Sequence, residues 1–319
     1  MTSGRTGSAR QRVRVNLHPL FVLSALAACV AHLALQVAIL FLCVLLHELG
    51  HAAVACALGY RVEAIELLPF GGVVKVTNGN LGCVPRHEAM VAIAGPLVNL
   101  GLGWLGLAIA ASGVSSSEAY RAWVALNLWL AIFNLLPCLP LDGGRLWRAS
   151  RSRSVGYARA TEGAYRMGFV IAALLVLLGI MAFLAGRPHI GALVLGLFLA
   201  VSAWQGLREV RVDIVRFLDM KRRQTKPVVR ARSLVARVNT PIRHVVGQFA
   251  PNRVHLVYVT DDQGRVVGIV EEWEIVEAVF AGKWETPIGE LSDSGVSSVS
   301  ESVTADEAKC GSDNVTLRM

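Results

Sequence analysis

Residues 17–58 read LHPLFVLSALAACVAHLALQVAILFLCVLLHELGHAAVACAL, and the only formally charged side chain in the stretch is Glu48. A bilayer core about 30 Å thick is crossed by about 20 apolar helical residues, so the stretch is long enough for two spans, divided near His32. The second would carry His47-Glu48-Leu49-Gly50-His51. Three ionisable groups at bilayer depth each cost at least about 2–3 kcal/mol unless they are paired or bind a metal. On a helix, residues four apart share a face. Two imidazoles in H-E-x-x-H can therefore hold one zinc ion while the adjacent Glu reaches a water on it.

Apolar runs continue at 89–111, 122–136, 168–184 and 190–204, which brings the total to about six spans by length. The whole chain, 319 residues, is 54% hydrophobic and only 17% charged, where a soluble domain carries about a quarter charged residues. The fold class expected is an α-helical polytopic membrane protein with a small α+β C-terminal domain. Basic residues crowd the N-terminus (Arg5, Arg10, Arg12, Arg14), the segment from Arg145 to Arg166, and the segment from Arg208 to Arg232. An even number of spans places all three on one side, the cytoplasmic one by the positive-inside rule. The net charge of +8 thus reads as a topology signal, with no nucleic-acid partner expected. The domains expected are a basic N-terminus at 1–16, a membrane domain at 17–206, a basic linker at 207–232, a small soluble domain at 233–291 and an acidic, disordered tail at 292–319. Arginines ahead of Leu26-Ala27-Ala28-Cys29 imitate a lipoprotein signal, but the apolar pattern runs past it and a signal anchor is expected. None of the six cysteines forms a C-x-x-C pair, and no disulfide is assigned.

A catalytic zinc takes three protein ligands and keeps one position open. The candidate third ligand is Asp142, in Asn134-Leu-Leu-Pro137-Cys-Leu-Pro140-Leu-Asp142-Gly143-Gly144-Arg145. Pro137 and Pro140 end the fourth span by removing backbone donors, and Gly143 and Gly144 permit an irregular turn. Non-helical backbone at that depth is tolerated where it is buried in protein or lines a wet cavity. A solvated cytoplasmic turn is the competing reading of the same residues. Gly101-x-Gly103-x-x-Gly106 matches a dinucleotide fingerprint, but without a preceding strand and inside an apolar run it reads as close helix packing.

HELGH followed by N-x-x-P-x-x-P-x-D-G-G, with Leu68-Pro69-Phe70-Gly71-Gly72 and Ala94-Gly95-Pro96 between, resembles the site-2 protease family of intramembrane metalloproteases. His18-Pro19 and the C-terminal domain point within it to the branch of the stage IV sporulation FB protease of endospore-forming bacteria. The resemblance implies that His47, His51 and Asp142 bind one Zn2+ and that Glu48 is the general base. It further implies that Asn134 holds the substrate backbone, and that 69–76, with Gly71 and Gly72, forms a membrane-dipping hairpin beside an unwound substrate segment. The substrate implied is a membrane-associated precursor, of pro-sigma or anti-sigma type, with membrane-protein regulators and a homo-oligomer as further partners.

Beyond the basic connector, 255–260 (HLVYVT) and 266–270 (VVGIV) read as a hairpin around Asp262-Gln263-Gly264, and 271–280 as a helix. The order resembles a CBS motif, which implies an adenine-nucleotide site. Glu271 and Glu274 stand near the positions where that site uses a hydroxyl and an Asp, so a protein-docking or dimerising module is the alternative. For the whole chain the alternatives are a CBS-regulated transporter and a catalytically inactive zinc-binding relative.

Overall fold

The structure, a computed structural model, describes residues 14–17, 34–68, 71–77, 80–113, 117–187, 190–223 and 229–292. In chain order these form β1 (Arg14–Leu17), α1 (Ala34–Ala57), β2 (Arg61–Leu68), β3 (Gly71–Thr77), a 3-10 turn (Asn80–Cys83), α2 (Pro85–Ala111), α3 (Glu118–Asn134), α4 (Asp142–Val155), α5 (Tyr157–Leu184) and α6 (Ile190–Arg223). There follow β4 (Arg230–Arg237), α7 (Ile242–Val246), β5 (Arg253–Thr260), β6 (Val266–Glu271) and α8 (Glu272–Phe280). The chain divides into two compact units, residues 1–150 with 160–208 and residues 151–159 with 209–319.

In the first unit α1, α2, α5 and α6 are long and apolar enough to cross a membrane. The expected first span at 17–31, including His18-Pro19, lies outside the described residues except for Leu17. That residue closes β1 instead of opening a helix. The alternation in Val13-Arg14-Val15-Asn16-Leu17 is a strand period, and β1 pairs in parallel with β2 at Arg14↔Ala64 through Leu17↔Leu67. β2 and β3 form an antiparallel hairpin from Arg61↔Thr77 to Leu68↔Gly71, which takes in 61–68 as well as the 69–76 expected of a hairpin; Pro69 and Phe70 lie outside the described residues.

The helix α3 has 17 residues, about 25 Å at 1.5 Å per residue, short of a full bilayer core. Ser117 caps it, its hydroxyl accepting from the Tyr120 N–H at 3.3 Å. The chain then leaves the helix for 135–141, where Cys138, Leu139 and Leu141 are buried. Cys138 and Leu141 pack with Ala172 of α5 and Leu199 of α6. Such backbone is sheltered inside protein, as an apolar environment requires.

Helices α1, α2 and α3 pack on one another through small residues, which let backbones approach when lipid offers no hydrophobic drive. A Cβ added at Gly50 would lie 2.8 Å from Val98 Cγ2, and one at Gly103 2.6 Å from Leu128 Cδ2. Gly106 meets Val124 in the same way, whereas Gly101 faces open space. Two of the three glycines of the fingerprint-like run therefore serve helix packing.

The second unit contains the expected hairpin and helix. Its sheet has the order β4-β5-β6, with β4 parallel and β6 antiparallel to β5. β4 begins at Arg230, inside the stretch read as linker. Val257, Val259, Val270, Ile275 and Val279 form its apolar interior. Glu271 caps α8 reciprocally with Glu274 in a capping box, which commits both carboxylates to the helix start.

Candidate metal centre

The helical period puts His47 and His51 of α1 edge to face, with ring centroids 4.7 Å apart. Glu48, one residue round the helix, brings a carboxylate oxygen within 4.8 Å of both imidazole ligand nitrogens. All three are buried, as is Asp142, which opens α4. Asp142 Oδ2 lies 2.9 Å from His47 Nε2 and 3.0 Å from His51 Nε2, and the two Nε2 atoms are 3.1 Å apart.

The far side of each ring determines what these nitrogens can do. His47 Nδ1 lies 2.5 Å from Asn99 Oδ1, and His51 Nδ1 lies 2.7 Å from the Val91 carbonyl oxygen. Both partners are acceptors, so both Nδ1 atoms carry the proton, and in the neutral form that a metal ligand requires both Nε2 atoms present lone pairs. The Gly95 N–H, at 3.3 Å from His51 Nδ1, is the weaker contact. Pro96 beside it lacks the N–H that would continue the α2 ladder.

Three lone-pair donors thus converge on one point, a repulsive arrangement without a cation among them. In a tetrahedral zinc site with bonds of about 2.0–2.1 Å, donors stand roughly 3.3 Å apart, and the separations here fit. Two carboxylates and two neutral imidazoles, with Arg145 Nη1 at 3.6 Å from Asp142 Oδ1, favour a divalent ion. Residue 95 faces the same point: a Cβ there would lie 2.5 Å from His51 Nε2 and 2.6 Å from His47 Nε2.

The expected irregular turn at Gly143 and Gly144 is instead the first turn of α4. The glycines answer a need for space. A Cβ at Gly143 would stand 2.2 Å from the Leu135 carbonyl oxygen, and one at Gly144 2.2 Å from the Cys138 carbonyl carbon. The loop 135–141, buried at Cys138, Leu139 and Leu141, folds directly against α4 and holds Asp142 inward. Arg148 also ties α4 to α2, its Nε donating to Glu88 Oε1 at 2.9 Å.

His47, Glu48, His51 and Asp142 thus come together, while the hydrogen bond of Asn134 and the strand pairing of Gly71 and Gly72 lie within α3 and the β2–β3 hairpin. The Asn134 amide donates to the Leu130 carbonyl of its own helix at 3.0 Å. Gly71 and Gly72 open β3, paired with Leu68 and Leu67. Two polar residues missed in the sequence lie beside the site. Asn99, under His47, donates to Asn127 Oδ1 at 2.7 Å, and both are fully buried. Their signal was available, a carboxamide inside each of two apolar runs.

Comparison with known proteins gives a consistent set of relatives. The profile described as Peptidase family M50 matches residues 35–119 and 108–175, and that of the CBS domain matches 224–281. Stage IV sporulation protein FB of Bacillus subtilis is 30% identical over 274 residues, 85% of this chain and 93% of that protein. The putative zinc metalloprotease Rip3 of Mycobacterium tuberculosis is 33% identical over 261 residues, 77% of this chain and 64% of that one. The solved site-2 protease from Methanocaldococcus jannaschii superposes with a TM-score of 0.49 at 31% identity, over 60% of this chain and 89% of that one.

Proposed function

The chain belongs to peptidase family M50, the site-2 metalloproteases, and on that premise we propose that His47, His51 and Asp142 hold one zinc ion and that Glu48 is the general base of peptide hydrolysis within the membrane. The observation that supports this reading above the others is the convergence of two imidazole lone pairs and one carboxylate oxygen at 2.9–3.1 Å.

The chemistry zinc supplies when bound at such a site is polarisation of the scissile carbonyl and a water whose pKa falls toward about 7. Glu48 would serve as the base that accepts a proton from the attacking water and returns it to the leaving amine nitrogen, so that a carboxylate and an amine result. Val91 and Asn99 hold the two rings with their Nε2 atoms inward. The substrate is a membrane protein segment, and it must unwind first, since a helix keeps its carbonyls in intrahelical hydrogen bonds. Gly71, Gly72 and Asn134 are the residues proposed to hold the extended segment, the strands offering backbone pairing and Asn134 an amide. The substrate class proposed is a pro-sigma or anti-sigma precursor, in line with the relative named for sporulation.

The apolar helices make this a membrane protein, and the basic runs support a cytoplasmic N-terminus and C-terminus. The domain limits proposed are 1–16, 17–206, 207–232, 233–291 and 292–319, with the start of the C-terminal domain moved from 233 to Arg230, where β4 begins. Glu271 and Glu274 are committed to capping α8, which favours the CBS unit as a protein-docking module over an adenine-nucleotide site.

Glu48→Gln is the decisive test. Cleavage of a co-expressed precursor should fall about a thousandfold, while the zinc content of the purified protein stays at the wild-type level. Wild-type cleavage by this variant would remove Glu48 from the role.

A further inference from the structure

The Asn99 side chain holds the His47 ring by its oxygen, and the reason that its oxygen rather than its nitrogen faces the ring lies one helix further away. Asn127, on α3, donates from Nδ2 to the Trp123 carbonyl at 2.9 Å and to Cys43 Sγ at 3.1 Å. A carbonyl cannot donate, so the Asn127 nitrogen must face Trp123 and its Oδ1 must face α2. Asn99 meets that oxygen with Nδ2 at 2.7 Å, and places its second N–H 3.3 Å from the Cys43 carbonyl. Only then does Asn99 Oδ1 point at His47 Nδ1, 2.5 Å away. Every donor and acceptor of the two buried carboxamides is used, and turning either amide over would set oxygen against oxygen.

We propose that Asn127 and Asn99 are positioning residues for the metal site: anchored on a backbone carbonyl of α3, they fix the proton of His47 on Nδ1 and so keep the Nε2 lone pair free for the cation. The order of contacts runs Trp123 O, Asn127, Asn99, His47, each link oriented by the one before. His51 needs no such chain, because its Nδ1–H meets the Val91 carbonyl directly. If the amides served only as polar glue between helices, their orientation would be immaterial to the ring. The inference rests on the zinc reading of the site, but its first test is made without metal.

That test is the 15N shift of selectively labelled histidine in the zinc-free, full-length protein in lipid or detergent. The wild-type His47 should show a protonated Nδ1, the proton it donates to Asn99 Oδ1. Asn127→Leu, which frees Asn99 to turn its nitrogen toward the ring, should move His47 to the Nε2-protonated form. In the same preparations, zinc affinity measured against a chelator should fall about 10–100-fold, the usual effect of losing an outer partner of a ligand histidine. Asn127→Asp and Asn99→Asp are near-isosteric; the protonated acid keeps one acceptor and one donor, and both should retain the wild-type tautomer and zinc affinity within a few-fold. An unchanged His47 tautomer in Asn127→Leu would overturn the proposal, as would Asp variants that lose zinc as badly as Asn127→Leu. Absence of zinc binding in the wild type would instead defeat the metal reading and leave the tautomer result standing.

Discussion

His47 and His51 in the membrane unit and His255 in the C-terminal unit are all buried, yet they answer burial in opposite ways. His255 Nδ1 donates to Glu272 Oε2 at 2.7 Å, and its Nε2 accepts from the Ala250 N–H at 3.1 Å. The second Glu272 oxygen accepts from Lys221 Nζ at 2.5 Å, and the ring stacks on Phe249 at 4.6 Å. Each donor there meets an acceptor, and the set is complete without a ligand. At His47 and His51 the outer nitrogens take the acceptors, and the two neutral rings turn their inner nitrogens on a third acceptor, Asp142 Oδ2, an arrangement that a cation completes. Buried histidine beside a carboxylate is common to both; the balance of donors and acceptors separates a metal site from a structural latch.

Exchanging one histidine in each cluster should expose that difference at full size. His51→Gln should abolish zinc retention and lower precursor cleavage by about a thousandfold or more, the scale of losing several kcal/mol of Lewis-acid stabilisation. His255→Gln should leave zinc content unchanged and destabilise the C-terminal unit by about 1–3 kcal/mol, the cost of an unsatisfied buried partner. Metal analysis and denaturant titration of the full chain read the two effects. Loss of zinc in His255→Gln would erase the distinction.

A smaller effect separates space at the site from space on the same helix. In Gly95→Ala the new methyl would stand within 2.6 Å of both inner nitrogens, whereas in Gly101→Ala it would meet nothing within 4 Å. The first should lower kcat/KM about a hundredfold, as an ångström-scale misplacement of reacting groups does; the second should behave as wild type. Equal behaviour of the two variants would mean that the room beside the imidazoles is incidental.

Much of the membrane site was legible because charge at bilayer depth is expensive: His47, Glu48 and His51 stand out in an apolar run, and Asp142 follows a proline-broken span end. Asn99 and Asn127 escaped notice because they are uncharged, although a carboxamide in an apolar span also needs partners. At Gly143 and Gly144 the residue type was informative and its usual cause was not. Glycine reads in sequence as a freedom of φ, whereas here it leaves room for loop 135–141. Such an approach between segments leaves no local periodicity to read. β1 was lost to the hydropathy of the residues after it. The second unit was easier, since its hairpin and helix alternate in the ordinary periods of two and 3.6. Its His255–Glu272–Lys221 set joins α6, β5 and α8, and no spacing in the chain announces it.

The smallest expected effect is a pH dependence confined to the closed cluster. Burial pushes the His255 imidazole below its usual value, and the Lys221 charge adds to this against the pull of Glu272. Burial alone would raise the Glu272 carboxyl, but the hydrogen bond from His255 and the charge of Lys221 hold it below the ordinary carboxylate range. For both groups the unfolded state binds protons more readily than the folded one, so stability rises with pH across the interval between the two pKa values. The His255 contribution is present above about pH 6.5, the unfolded value, and is lost as the pH falls toward the lowered folded value. The Glu272 contribution is lost lower, as the pH falls from about 4.5. Each group changes stability by at most about 1.4 kcal/mol per pH unit. Hydrogen exchange at β5 amides, corrected for the intrinsic pH dependence of exchange, should show protection falling between pH 7.5 and 5.5. In His255→Gln that part of the dependence should vanish. Protection that grew on acidification would mean that His255 is held in its charged form, and the cluster would then be an ion pair awaiting a proton instead of a set already complete.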